Sequence, residues 1–188
     1  MGAEKNVMGA VPAALTLQQL DNTFNGNLSG NVYSTSIELT TGGAAAPVCE
    51  MDFVWMKLGR FPGKVEIIMG ECKDRGRDDG ETVDKVDMNC LRAVADALPH
   101  ERFEAYILLA KLNPFAPEEI AAARTLNGAY QRRVILLTAD ELEPRHIFDR
   151  LPEELKQNAR GGTAENLANL TAARHFPEPP PNQPPPQA

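Results

Sequence analysis

Asp52, Glu71 and Lys73 are the residues of this chain whose types and spacing could carry a reaction. Glu71 and Lys73 stand two apart at the end of the apolar run "KVEIIMGECK", so on a strand both project from one face. Asp52 lies in "VCEMDFVWMKL", a second strand-like segment joined to the first by the turn "GRFPG". Pairing the two segments as an antiparallel hairpin, with Leu58 opposite Val65, brings Asp52 opposite Glu71 and Glu50 opposite Lys73. Two carboxylates at one spot repel unless one is protonated or a cation sits between them. Mg²⁺ takes oxygen ligands and commonly uses one or two carboxylates with water and phosphate. Lys73, on the same face, could polarise or orient a water beside such a metal. The plain alternative is a solvated strand end with surface ion pairs, which need no function; Glu50 opposite Lys73 fits it.

The elements that must position these residues follow from periodicity and turn signals. Residues 1–14 read as a disordered N-terminus, and Leu15–Phe24 as one short helix. "NVYSTSIELT" (31–40) is rich in β-branched and aromatic residues and reads as a strand. In the next strand (48–58), alternation puts Glu50, Asp52, Val54 and Met56 on one face and Cys49, Met51, Phe53 and Trp55 on the other. The third strand spans 64–73. A helix capped by Asp78 or Asp79 follows, with Val83, Val86, Cys90, Leu91, Val94 and Leu98 at helical spacing. Then come a strand at 103–112, a helix opened by Pro117 and stopped at Asn127-Gly128, and a strand at 133–138. Two helical stretches follow, at 139–157, interrupted by Pro144 and Pro152, and at 163–175. "PEPPPNQPPPQA" (177–188) reads as an extended, disordered tail. The meander and the strand-helix-strand alternation together call for a mixed α/β sheet flanked by helices.

Asp52 in "CEMDFVW" and Glu71-Cys72-Lys73 in "IIMGECKDRG" resemble the motif of the PD-(D/E)xK nuclease superfamily, the restriction-endonuclease-like fold. That family carries an Asp on one strand and Glu-x-Lys at the end of the next, on an α-β-β-β-α-β core. The resemblance covers about residues 15–138 of a domain expected over 15–176. It implies that Asp52, Glu71 and the backbone carbonyl of Cys72 hold Mg²⁺, or Mn²⁺ in its place. It also implies that Asp52, Glu71 and Lys73 are catalytic, with Lys73 assisting the attacking water. The implied reaction is hydrolysis of DNA phosphodiester bonds by an endonuclease, in prokaryotic restriction, defence or DNA processing. The sequence departs from the pattern in two places. Met51 stands where the motif has Pro, which many members lack, and the first helix offers Gln18, Gln19 and Asp21 but no Glu.

Composition sets the wider bounds. The net charge of −7 argues against a chain that coats nucleic acid by bulk charge, though not against a nuclease with a local site. No stretch approaches the roughly 18 apolar residues of a membrane span, and no signal peptide is evident. The three cysteines, Cys49, Cys72 and Cys90, show no zinc-type spacing and read as buried thiols in a reducing, cytoplasmic setting. Arg75, Arg77 and Lys111 are candidates for phosphate contact, against a plainer reading as loop and strand-end charges. With no separate DNA-reading module, specificity is expected from inserted loops, a partner protein or domain, or a homodimer. The rival from another class is a non-catalytic binding or assembly module that keeps the nuclease fold.

Overall fold

The computed structural model of the chain describes residues 10–24, 30–40, 49–57, 63–73, 85–128, 133–156 and 162–176. In chain order the elements are α1 (Ala10–Phe24), β1 (Asn31–Leu39), β2 (Cys49–Lys57), β3 (Val65–Lys73), α2 (Lys85–Ala97), β4 (Phe103–Lys111), α3 (Pro117–Leu126), β5 (Arg133–Leu137), α4 (Ala139–Leu142), α5 (Glu153–Lys156) and α6 (Ala164–His175). The strands form one mixed sheet in the order β1-β2-β3-β4-β5. β1, β2 and β3 pair antiparallel as a meander, and β3, β4 and β5 pair parallel. Two successive right-handed crossovers in one direction must place their helices on one face of the sheet. Accordingly Met88, Leu91 and Ala95 of α2 and Ala123 and Leu126 of α3 share one core layer with Ile67, Met69, Ile107, Leu109, Val134 and Leu136. Leu20 and Phe24 of α1, Leu142 of α4 and Leu167 of α6 share the other layer with Phe53, Trp55, Ile68, Tyr106, Leu108 and Ile135. β3, β4 and β5 are therefore covered on both faces, which explains their near-continuous apolar runs.

Several expectations are adjusted. α1 begins at Ala10, before the expected Leu15, because Pro12 is tolerated in a first turn and is buried there with Thr16. Residues 1–9 and the tail at 177–188 lie outside the described residues, as do Asp78, Asp79, Val83, Arg75 and Arg77. α2 keeps most of the expected face, with Leu91 buried and Cys90, Val94 and Leu98 packed against the core, but Val86 is 73 % exposed and Met88 and Ala95 are buried in addition. Pro144 and Pro152 interrupt the segment after β5 as expected, leaving only the short α4 and α5. The cysteines differ most. Cys49 and Cys90 form a disulfide with a Cα–Cα distance of 5.4 Å, and Cys72 alone remains a buried free thiol. Closing a loop with a sequence separation of 41 residues is worth about 4 kcal/mol in chain-entropy terms.

β2 also breaks its own alternation. Cys49 and Met51 join the layer under α2, while Phe53 and Trp55, of the same parity, join the layer under α1. Residues two apart on a regular strand share a face, so the strand changes phase at Asp52. Ser36 lies across from it, between the pairs Thr35↔Phe53 and Ile37↔Met51, at a left-handed φ of 53°. For a residue with a Cβ that backbone costs about 1–2 kcal/mol. Both distortions fall beside the candidate site.

Gly70, just before Glu71, is paired with Phe53, whose ring covers it. A Cβ built on Gly70 would stand 2.0 Å from the Phe53 ring. That ring is fully buried and cannot swing into solvent. Gly70→Ala is therefore expected to cost about 1–3 kcal/mol by overpacking, measurable as a lower urea midpoint at unchanged m-value; an unchanged midpoint would contradict this packing.

Candidate active site

The β2–β3 hairpin has the register expected from the sequence, running from Phe53↔Gly70 to Lys57↔Glu66. Backbone pairing stops there, one step short of Asp52 and Glu71. The Asp52 side chain completes the edge instead: Cys72 N–H donates to Asp52 Oδ2 at 2.6 Å. In an extended strand the N–H and C=O of one residue leave by the same edge. The Cys72 carbonyl therefore also faces the β2 side, beyond the last paired residue. Its thiol points the other way, buried in the layer under α1, where burial pushes its pKa well up. Cys72 thus offers the site its backbone and not its sulfur.

Glu71 and Lys73 continue the face of Ile67 and Met69, on the α2 side of the sheet. Glu71 is buried, and its carboxyl is pushed up to about 7, first by burial and then by the neighbouring charge of Asp52. Lys73 Nζ donates to Glu71 Oε1 at 2.7 Å, which offsets only part of that rise. For Lys73 itself burial opposes the charge, but the bonds to Glu71 and Asp87 outweigh it and hold the amine above the ordinary lysine range. The group is an ammonium, able to orient a water or offset phosphate charge but not to accept a proton at neutral pH.

Asp87, from the first turn of α2, is the residue that sequence reasoning missed. Its Oδ2 lies 2.9 Å from Lys73 Nζ, so Lys73 joins β3 to α2 instead of making the expected pair with Glu50. A cavity of about 200 Å³ is lined by Ser36, Glu38, Glu50, Asp52, Glu71, Lys73 and Asp87. The lining is thus five carboxylates around one ammonium, a strongly cation-attracting surface. Among the described residues no three His, Cys, Asp or Glu side chains are gathered tightly enough to form a metal cage. Two carboxylates and a carbonyl nevertheless fit a hard cation that keeps most of its waters.

Other sequence candidates fall elsewhere. Lys111 is buried in an ion pair with Glu119 and lies 5.1 Å from the Phe115 ring centroid, so it is not presented to a phosphate. Gln19 donates to the carbonyls of Leu142 and Pro144, tying α1 to the segment after β5 on the face away from the site. Arg133 pairs with Glu165 and Asn169. Phe53 and Trp55 are core residues, with Trp55 4.6 Å from the Phe24 ring. His100 and His146 are exposed and His175 ends α6, all away from the cavity lining.

Compared with known proteins, the chain matches no protein-family model, no curated protein and no solved structure.

The acid pair has a consequence for stability. Glu71 titrates near 7 in the folded chain against an ordinary 4.5, so the folded state holds its proton more tightly. The stability from this group is full below about pH 4.5 and is lost as pH rises through 7, by about 3 kcal/mol at most. Urea unfolding in the presence of a chelator is expected to show this decline, and Glu71→Gln is expected to flatten it. An equal slope in the two proteins would contradict the pairing.

Proposed function

We propose that the chain is a Mg²⁺-dependent endodeoxyribonuclease of the restriction-endonuclease-like type, hydrolysing phosphodiester bonds in DNA, with Mn²⁺ able to replace Mg²⁺. The observation that carries this reading is the meeting of Asp52, Glu71 and the Cys72 backbone edge beside Lys73. The sheet order supports it: an antiparallel meander that continues into a parallel strand, with Asp52 in the first half of the second strand and Glu71 near the end of the third. Asp52, Glu71 and the Cys72 carbonyl would hold the metal. A bound divalent cation supplies Lewis-acid stabilisation of the phosphate and a more acidic water. Lys73, kept charged by Glu71 and Asp87, orients that water and offsets charge building on the phosphate. The setting implied by the resemblance is cytoplasmic DNA restriction, defence or processing, with specificity supplied by a second copy or a partner.

A second reading, a non-catalytic module that binds DNA or a partner through the same fold, is favoured by the acidic cavity lining and the net charge of −7. The two readings separate in a plasmid-cleavage assay with Mg²⁺ or Mn²⁺. Wild type is expected to nick or linearise DNA, and Asp52→Ala, Glu71→Ala and Lys73→Ala each to lose about 10²-fold or more. Wild type cutting no better than Lys73→Ala on any DNA form would contradict catalysis and leave the binding module.

A further inference from the structure

The Cys49–Cys90 disulfide joins the two elements that meet across the candidate site. Cys49 opens β2, three residues before Asp52, and Cys90 lies on α2 one helical turn after Asp87. Lys85 is exposed and Val86 is 73 % exposed, so Met88 supplies the buried apolar contact in the first turn of α2. The ion pair holds Asp87 on Lys73, and the disulfide one turn later fixes α2 to β2 beside it. A surface cavity of about 290 Å³ lies against the bond, lined by Leu39, Cys49, Cys90, Ala93, Val94 and Ala97. Cys49 is buried and Cys90 is partly exposed, so Cys90 Sγ is the sulfur a reductant reaches. In a reducing compartment a disulfide of this kind is opened and reformed rather than permanent.

We infer that the Cys49–Cys90 disulfide is a redox clamp that holds Asp87 on Lys73 and so sets the cation affinity of the Asp52–Glu71 site. The inference rests on reading that site as a cation site. Reduction needs a dithiol. One thiolate of the dithiol attacks Cys90 Sγ, the S–S bond breaks, and Cys49 leaves as a thiolate that takes a proton from water. The second thiol of the dithiol then attacks the mixed disulfide and releases Cys90. The protein gains two electrons and two protons, and the dithiol becomes a disulfide. With the bond open, the first turn of α2 loosens. Asp87 then no longer shares the ammonium with Glu71, and Lys73 competes more strongly with the cation for Glu71. The oxidised form is the one that binds the cation tightly.

The test is Mn²⁺ titration by calorimetry of oxidised wild type, dithiothreitol-reduced wild type freed of reductant under anaerobic conditions, the Cys49→Ser/Cys90→Ser double variant and Asp87→Asn. Hydrogen exchange of the α2 amides accompanies each sample. Reduction and the double variant are each expected to weaken Mn²⁺ binding by about fivefold or more and to speed exchange in the first turns of α2. Asp87→Asn is expected to bind weakly in both redox states. Equal affinity of the oxidised and reduced wild type, failure of dithiothreitol to open the bond in the native protein, or a full redox difference surviving in Asp87→Asn overturns the clamp alone. A weaker affinity without faster α2 exchange overturns it as well. No Mn²⁺ binding in any form overturns both the clamp and the reading of the site beneath it.

Discussion

Two carboxylates facing each other at the end of a hairpin repel, and burial strips away the water that would screen them. Asp52 and Glu71 are in that position, and the cost is visible in the Glu71 carboxyl, raised to about 7. A folded chain keeps such a pair only if the surrounding structure over-determines it. Here β3 is locked between β2 and β4 along its length, and its buried side chains are divided between the two core layers. Lys73 then offsets part of the repulsion from within the same strand, and Asp87 of α2 holds Lys73 in turn.

The distortions of the sheet gather around the same point. β2 changes phase at Asp52, and β1 adopts a left-handed backbone at Ser36 opposite it. Regular pairing would have used the backbone edge of Cys72 for a ladder. Because the ladder ends at Phe53↔Gly70, the Cys72 N–H is taken up by Asp52 and its carbonyl is left on the β2 edge beyond the last paired residue. The other end of the sheet is finished differently: Leu136 N–H donates to Thr171 Oγ1 and Val134 N–H to Asn127 Oδ1, which shields the β5 edge. Irregularity is thus concentrated at the strand end where Asp52 and Glu71 meet.

Much of this was legible in the sequence. The hairpin register follows from the turn length and the apolar runs, and it places Asp52 beside Glu71. The mixed sheet followed from element order, because strand-helix-strand segments must pair in parallel. Asp87 was not legible, although it shares a helical stripe with Cys90, Leu91 and Val94, because the apolar pattern gives that place to Val86 and says nothing of a lysine on another element. A charged residue three positions before a partly buried cysteine was the available signal. The disulfide was hidden for a related reason: its partners lie 41 residues apart, on different kinds of element, and only tertiary packing brings them together. The phase change in β2 is not legible because strict alternation through Asp52 puts Cys49, Met51, Phe53 and Trp55 on one face, and only the packing divides them between two layers. The restriction-endonuclease-like identity of the fold remains a reading of the motif and the sheet order.

The acid pair as a cation site is tested most directly by crystals grown or soaked with Mn²⁺ and measured for anomalous scattering. An anomalous peak is expected within about 2.0–2.2 Å of a carboxylate oxygen of Asp52, a carboxylate oxygen of Glu71 and the carbonyl oxygen of Cys72. A well-ordered site without that peak at saturating Mn²⁺, or a peak ligated by neither carboxylate, would contradict it.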